Sequence, residues 1–242
     1  TAMDFERVFS DKEFRESLLE ISEDVPLKRF WKETAVKISG DAALQNISPY
    51  ITSKMHALTQ GGFLTEMIAQ SVDEVQLEER MNSGGVILVN LDKGILGPNQ
   101  SRLLGTLLTM QIFAAGLKRS TLPVGERRPV NIYIDEFQNF VSDNIAAMLS
   151  EARKFGLRLH LANQTLSQLS NHRGGTDLLQ SVLGNVGNMI LFRLGIPDAE
   201  RLESHFGNFT RRQMQELKNY HALARLLTDE GPLPPVIMKT IK

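Results

Sequence analysis

The sequence predicts an α/β protein in which a helical N-terminal part precedes a parallel sheet with crossover helices. Over about residues 11–70, apolar residues recur at three- and four-residue spacing, as at Phe14, Leu18 and Ile21, which is typical of amphipathic helices. From residue 86 onward, short apolar runs alternate with helical stretches. Strands and helices that alternate at this spacing form parallel sheets through right-handed crossovers.

The predicted elements follow from local patterns. The continuous apolar run at 86–89 is typical of a strand that is buried on both faces. A helix over about 144–155 has Ser142 or Asp143 as its N-cap and ends at Gly156. The other predicted helices cover about 103–117, 176–183, 198–206 and 211–218, and the other strands cover 131–135, 158–162 and 189–192. A hairpin of 222–227 with 236–240 is the last element, and we expect a helical subdomain over 1–83 and a sheet domain over 84–242.

Composition sets few limits on function. The chain has 242 residues, 42% of them hydrophobic, a net charge of −1 and no cysteine, which excludes disulfides, cysteine-ligated zinc and thiol catalysis. Its five histidines show no metal-binding spacing. No apolar run is long enough to span a bilayer and no signal peptide is evident, so we expect a cytoplasmic location.

The most informative feature is the apolar run at 130–134, which ends in the adjacent carboxylates Asp135 and Glu136. This is the pattern of a Walker B strand, in which the first carboxylate helps to hold Mg²⁺ and the following glutamate polarises the attacking water. The alternative is a solvated turn after a strand. The sequence contains no G-x-x-x-x-G-K-[ST] phosphate loop. Because the chain also starts with Thr1, we expect it to be the C-terminal part of a larger protein.

Polar side chains follow two more of the predicted strands. Asn163 and Gln164 come after the strand at 158–162, and Arg193 comes after the strand at 189–192. Ligands of open parallel sheets bind beyond the carboxyl ends of the strands, so these residues are candidates to converge with the acidic pair. Gln164 then senses the γ-phosphate or orients water, or it is an ordinary strand-end amide.

Arg153 and Lys154 lie in the last turn of the helix predicted at 144–155. The helix dipole favours cations at that position, which explains Lys154 adequately. Arg153 is also a candidate arginine finger for a nucleotide bound by a neighbouring subunit, because its planar guanidinium suits phosphoryl charge. The doublets at 127–128 and 211–212 are most simply solvated surface, with DNA phosphates as a second option.

Several short motifs of the sequence, in this order, resemble those of a known family. They are YIDEFQNF at 133–140, LSEARKF at 149–155 and LANQT at 161–165, with VNLDKGILG at 89–97, RLLG at 102–105, GNVG at 184–187 and FRLG at 192–195. FRESLL at 14–19 and RFW at 29–31 are similar to a helical insertion of the same family. These motifs are similar to those of the TraG/TraD-like coupling-protein ATPases of conjugative type IV secretion, within the FtsK/HerA-like class of hexameric DNA-pumping motors.

The resemblance implies a partial RecA-like P-loop NTPase core without its phosphate-loop strand, a helical insertion subdomain and a C-terminal β-hairpin. It implies ATP and Mg²⁺ as cofactors, with Asp135 at the metal, Glu136 as catalytic base, Gln164 as sensor and Arg153 as the finger acting in trans. The implied partners are DNA in a central pore, relaxosome proteins, secretion-channel proteins and further copies in a hexamer.

The leading functional hypothesis is therefore part of an ATP-driven DNA-translocating motor that delivers DNA or a relaxosome to a conjugation channel. We expect ATP hydrolysis by the intact protein rather than by this chain alone, and a membrane anchor outside this sequence. Two alternatives stay open: a non-catalytic module that recognises relaxosome or channel proteins, and a secretion ATPase for pilus assembly or protein export.

Overall fold

The computed structural model describes residues 4–35, 49–50, 52–53, 66–67, 70, 74–140, 148–170 and 178–241. The chain divides into two compact units, Thr1–Gln76 with Ile87–Gly105, and Leu77–Val86 with Thr106–Lys242. The domain boundary expected between residues 83 and 84 stays a prediction.

The helices and strands are given in chain order. The α-helices are α1 (Phe5–Ser10), α2 (Lys12–Ile21), α3 (Val25–Arg29), α4 (Leu77–Ser83), α5 (Lys93–Leu96), α6 (Pro98–Lys118), α7 (Ser167–Ser170), α8 (Leu178–Asn185), α9 (Ile196–Leu202) and α10 (Arg211–Gln215). A π-helical turn covers Phe30–Ala35, and 3-10 turns cover Arg119–Thr121, Val124–Glu126, Phe137–Phe140, Ala152–Phe155 and Glu203–His205. The strands are β1 (Val130–Ile134), β2 (Leu157–Leu161), β3 (Met189–Leu191), β4 (His221–Arg225), β5 (Leu227–Thr228), β6 (Gly231–Pro232) and β7 (Val236–Lys239). Among the described residues, no helix is both long and apolar enough to cross a membrane.

The described N-terminal residues are helical, as predicted. The Asp11 carboxylate caps α2 by accepting a hydrogen bond of 3.0 Å from the Phe14 N–H. Phe9 and Trp31 meet edge to face with ring centroids 5.6 Å apart. The buried Arg15 guanidinium lies 5.6 Å from the centre of the Trp31 ring. An aromatic and cationic contact set therefore joins α1, α2 and the π-helical turn.

The strand predicted at 86–89 is wrong. This segment pairs with no strand of the described chain, and Val86 is 85% and Leu88 92% exposed. The apolar composition indicated a buried strand, but a strand also needs a hydrogen-bonding neighbour, and the local sequence does not specify one.

The helix predicted at 103–117 is confirmed as part of the longer α6. Its second half packs, through Ile112 and Ala115, on one face of the strand pair formed by β1 and β2. These two strands are parallel, with Val130 opposite Leu157 and Ile134 opposite Leu161. The packed face consists of alternate strand residues, as the period of two requires. The site described below lies at the carboxyl end of this strand pair.

The prediction that β3 belongs to the parallel sheet is wrong. This strand pairs antiparallel with β4, and β4 pairs antiparallel with β7, in a separate three-stranded sheet. The helices predicted at 198–206 and 211–218 correspond to α9 and α10 and return the chain so that β4 runs opposite to β3. The predicted terminal hairpin is confirmed as β4 and β7, and the small β5–β6 pair lies in its connection.

The core of this antiparallel part is apolar. Phe206, Met214 and Ala222 have no exposed surface, and Leu202 and Leu223 are 1% exposed. Burial of side chains of this size stabilises a domain by about 1.5–3 kcal/mol each. The helix pair and the sheet are therefore held together by this cluster.

Candidate functional site

The acidic pair lies in a turn directly after β1. Asp135 is exposed, Glu136 is partly buried, and the Glu136 N–H donates to Asp135 Oδ1 at 2.9 Å. Glu136 has a φ of 49°, a left-handed conformation that costs a non-glycine residue free energy. Such strain persists only where the surroundings fix the backbone.

Two backbone hydrogen bonds fix the turn to the end of β2. Ala162 N–H donates to the Ile134 carbonyl at 3.0 Å, and Phe137 N–H donates to the Ala162 carbonyl at 3.1 Å. The Phe137 ring is 1% exposed and packs with Leu169 and Leu178. The carboxyl ends of the two strands are therefore one rigid edge.

The Glu136 side chain is also held. Gln138 Nε2 donates to Glu136 Oε2 at 2.5 Å. The Glu136 carbonyl accepts from the Asn139 backbone N–H at 2.9 Å and from Asn139 Nδ2 at 3.0 Å. The remaining carboxylate oxygen of Glu136 has no hydrogen-bonding partner in the described part of the chain. This arrangement leaves a carboxylate with one oxygen fixed and one oxygen available.

Asn163 and Gln164 follow β2 at the same edge as the acidic pair. Asn163 Nδ2 donates to the Thr165 carbonyl at 3.0 Å, so its amide shapes the loop. The exposed Gln164 side chain makes no hydrogen bond within the described residues. The structure thus brings Asp135, Glu136 and Gln164 to one edge, as the strand-end rule predicts, and the catalytic roles of these residues stay predictions.

Arg153 lies at the opposite end of the strand pair. It is exposed in the 3-10 turn Ala152–Phe155, which Gly156 ends in a left-handed conformation, as predicted. The preceding residues 148–151 are helical, whereas the predicted caps Ser142 and Asp143 lie outside the described residues. We call the carboxyl ends of β1 and β2, with Asp135 and Glu136, the acidic edge. The five residues of β2 separate Arg153 from this edge by roughly 16 Å at about 3.3 Å per residue.

Arg193 does not join the acidic pair through a shared sheet edge. It follows β3, which belongs to the antiparallel sheet. The strand-end rule that suggested its convergence requires a common parallel sheet, and the structure places the two strands in different sheets.

The acidic edge offers a carboxylate of the kind that binds Mg²⁺ together with other ligands. Among the described residues, no group of three or more potential ligands could hold a metal ion. Mg²⁺ usually keeps several waters and binds through one or two carboxylates together with substrate phosphates. The exposed Asp135 carboxylate, with only one oxygen engaged by the Glu136 N–H, suits that mode.

Two residues that support the site, Asp198 and Gln138, were not predicted to do so from the sequence. Asp198 of α9 is 7% exposed, and its Oδ2 accepts from the Leu166 N–H at 3.2 Å, just after Gln164. In the sequence, Asp198 directly follows Pro197 and looks like an ordinary acidic residue in the first turn of a helix. Gln138 lies two residues after Glu136, but its contact with Glu136 depends on the 3-10 turn that the sequence did not predict.

The predicted RecA-like fold is confirmed by solved structures that share it. The chain is similar to the plasmid coupling protein TrwB in complex with the GTP analogue GDPNP, with a TM-score of 0.65, 13% identity and coverage of 99% of this chain and 61% of that chain. The structure of TrwB with ADP and Mg²⁺ gives 0.63, 14%, 98% and 62%. The chain thus spans about three fifths of the length of these structures.

A family model matches part of the chain. Residues 129–222 match the family described as the TraM recognition site of TraD and TraG. No curated protein sequence matches the chain. The matched region contains β1, β2 and the acidic turn, so the resemblance to TraG/TraD-like coupling proteins is confirmed.

Proposed function

We propose that this chain is part of an ATP-driven motor of conjugative coupling type, which moves DNA or a relaxosome toward a secretion channel. The observation that carries the proposal is the rigid edge that bears Asp135, Glu136 and Gln164 at the carboxyl ends of two parallel strands. The family match over residues 129–222 and the fold shared with TrwB support the same function.

In ATP hydrolysis, each residue at this edge has a separate role. Asp135 would hold Mg²⁺ through its free carboxylate oxygen or a bound water, and the ion would supply charge neutralisation for the phosphates of ATP. Glu136 accepts a proton from the water that attacks the γ-phosphorus, while the bond to the β,γ-bridging oxygen breaks and ADP leaves with the electron pair. Gln164 has donors and an acceptor free to contact the γ-phosphate or the water.

Arg153 is proposed to act on the nucleotide of a neighbouring subunit. Within one copy it lies at the far end of β2 from the acidic edge, so it reaches a phosphate only in another copy. A head-to-tail arrangement, in which the Arg153 end of one subunit faces the acidic pair of the next, closes into a ring. We propose a hexamer with DNA in its pore. We expect this motor to work in the cytoplasm, with a membrane anchor outside the sequence.

DNA-stimulated ATP hydrolysis by the full-length protein tests this function. The proposal predicts salt-dependent binding of DNA irrespective of sequence and a higher turnover rate when DNA is present. An ATPase for pilus assembly or protein export would hydrolyse ATP without stimulation by DNA. Absence of hydrolysis in wild-type protein would contradict the motor.

The second candidate is a recognition module for a relaxosome protein, and the TraM recognition description of the matched family favours it. The two functions are compatible in one chain. Binding of a TraM-like protein by wild-type protein that hydrolyses no ATP would favour the module alone.

A further inference from the structure

The contact between Gln138 and Glu136 connects the predicted base to a residue with no assigned role. Gln138 Nε2 lies 2.5 Å from Glu136 Oε2. This orientation of the amide is the favourable one, because the alternative would bring its carbonyl oxygen against a carboxylate. A hydrogen bond between an amide and an ionised carboxylate is among the stronger ones in proteins.

The backbone that carries Gln138 is fixed on both sides. Phe137 is 1% and Phe140 8% exposed, and both belong to the 3-10 turn that contains Gln138. The two buried rings prevent the turn from shifting, so the amide stays aimed at the carboxylate. Gln138 is therefore built to restrict the rotation of the Glu136 side chain rather than to contact solvent.

We propose that Gln138 is a positioning residue that holds the Glu136 carboxylate by Oε2 and presents Oε1 to the attacking water. The proposal rests on the proposed function, in which Glu136 is the base. A fixed base spends more of its time within reach of the water and accepts its proton more often.

The other end of the Gln138 amide supports the same role. Its Oε1 is buried and has no hydrogen-bonding partner among the described residues. A buried acceptor without a donor costs about 1–3 kcal/mol. The bond to Glu136 Oε2 is therefore the one hydrogen bond that the Gln138 amide makes within the described residues.

A double-mutant cycle in the full-length protein tests the proposal, with steady-state ATP hydrolysis as the measurement. We expect Gln138→Leu to lower kcat about 10- to 100-fold while KM changes less than twofold. In the Glu136→Gln background the same substitution should have no further effect, because Gln138 acts through Glu136. Gln168→Leu, at an exposed glutamine of α7, is the matched control and should leave kcat unchanged.

The outcomes separate this role from a structural one and from failure of the motor. A merely structural Gln138 would lower the melting temperature and kcat in both backgrounds, which overturns the proposal. Equal kcat values for wild type and Gln138→Leu also overturn it while the motor stands. If wild type itself hydrolyses no ATP, the proposed function fails and the role of Gln138 fails with it. Should Gln138→Leu not fold, the isosteric Gln138→Glu replaces the donor with a repelling carboxylate and must lower kcat similarly.

Discussion

The carboxylate of Asp198 accepts a hydrogen bond of 3.2 Å from the backbone N–H of Leu166. This contact joins α9, which packs on the antiparallel sheet, to the loop that carries Gln164. Arg201 of the same helix donates to Ser170 Oγ at 3.2 Å and strengthens the link. The position of Gln164 is thereby tied to the C-terminal sheet through α9.

Replacement of Asp198 should therefore destabilise the protein. Asp198→Ala leaves the Leu166 N–H without its acceptor in a part-buried site, and we expect a loss of about 1–3 kcal/mol in the free energy of unfolding. Denaturant unfolding measures this loss. The matched control is Glu200→Ala on the same helix, which removes an exposed ion pair of 3.1 Å to Arg211 and should cost about 0.2–1 kcal/mol. Equal losses would contradict the anchoring role of Asp198.

Acidic pH should destabilise the N-terminal helices through Asp11, the N-cap of α2. The hydrogen bond from the Phe14 N–H, with Arg7 nearby, lowers the pKa of Asp11 below its ordinary value. A carboxyl group whose pKa is lower in the folded state stabilises that state above its unfolded pKa, and the stabilisation is lost as the pH falls through the folded pKa.

Helical circular dichroism measured between pH 7 and pH 2 tests this dependence on Asp11. Asp11→Asn keeps a good capping acceptor but cannot titrate, so its signal should change less below about pH 4 than that of wild type. Identical acid profiles for the two proteins would show that this cap does not contribute.

Two leucine substitutions test whether residues 86–89 are exposed. Leu88 is 92% exposed, so Leu88→Ala should change the free energy of unfolding by less than about 0.5 kcal/mol. Leu157 in β2 is 2% exposed, and Leu157→Ala should cost about 2–5 kcal/mol. A cost for Leu88→Ala similar to that of Leu157→Ala would show that this segment is a buried strand after all.

Substitution of Arg153 tests the finger that acts between subunits. Arg153→Ala should lower kcat by about 10³-fold or more if its guanidinium reaches a neighbour's phosphates. Lys154→Ala is the adjacent control and should have little effect, since a cation in the last turn is explained by the helix dipole. Mixed with Glu136→Gln subunits, Arg153→Ala subunits should recover part of the activity, because some interfaces then combine an intact base with an intact finger. Failure of the mixture to recover any activity would argue against a finger in trans.

The sequence predicted local elements well where periodicity and caps decide them. The helix over 103–117, the parallel pair β1–β2, the stop at Gly156 and the terminal hairpin all follow from patterns within a few residues. The pairing of β3 and the exposure of 86–89 did not follow, because strand partners are set by tertiary placement. At the candidate site, the acidic turn and the Gln164 edge were predictable from strand ends. The contacts of Gln138 and Asp198 depend on a 3-10 turn and on a distant helix.

The most direct test of the central claim is the turnover number for ATP of the full-length protein with Glu136 replaced. The motor account predicts that Glu136→Gln lowers kcat at least about 100-fold, because the attacking water loses its base, while the variant still binds ATP and Mg²⁺. A kcat for Glu136→Gln equal to that of wild type would contradict the assignment of this acidic edge as an ATP-hydrolysing site.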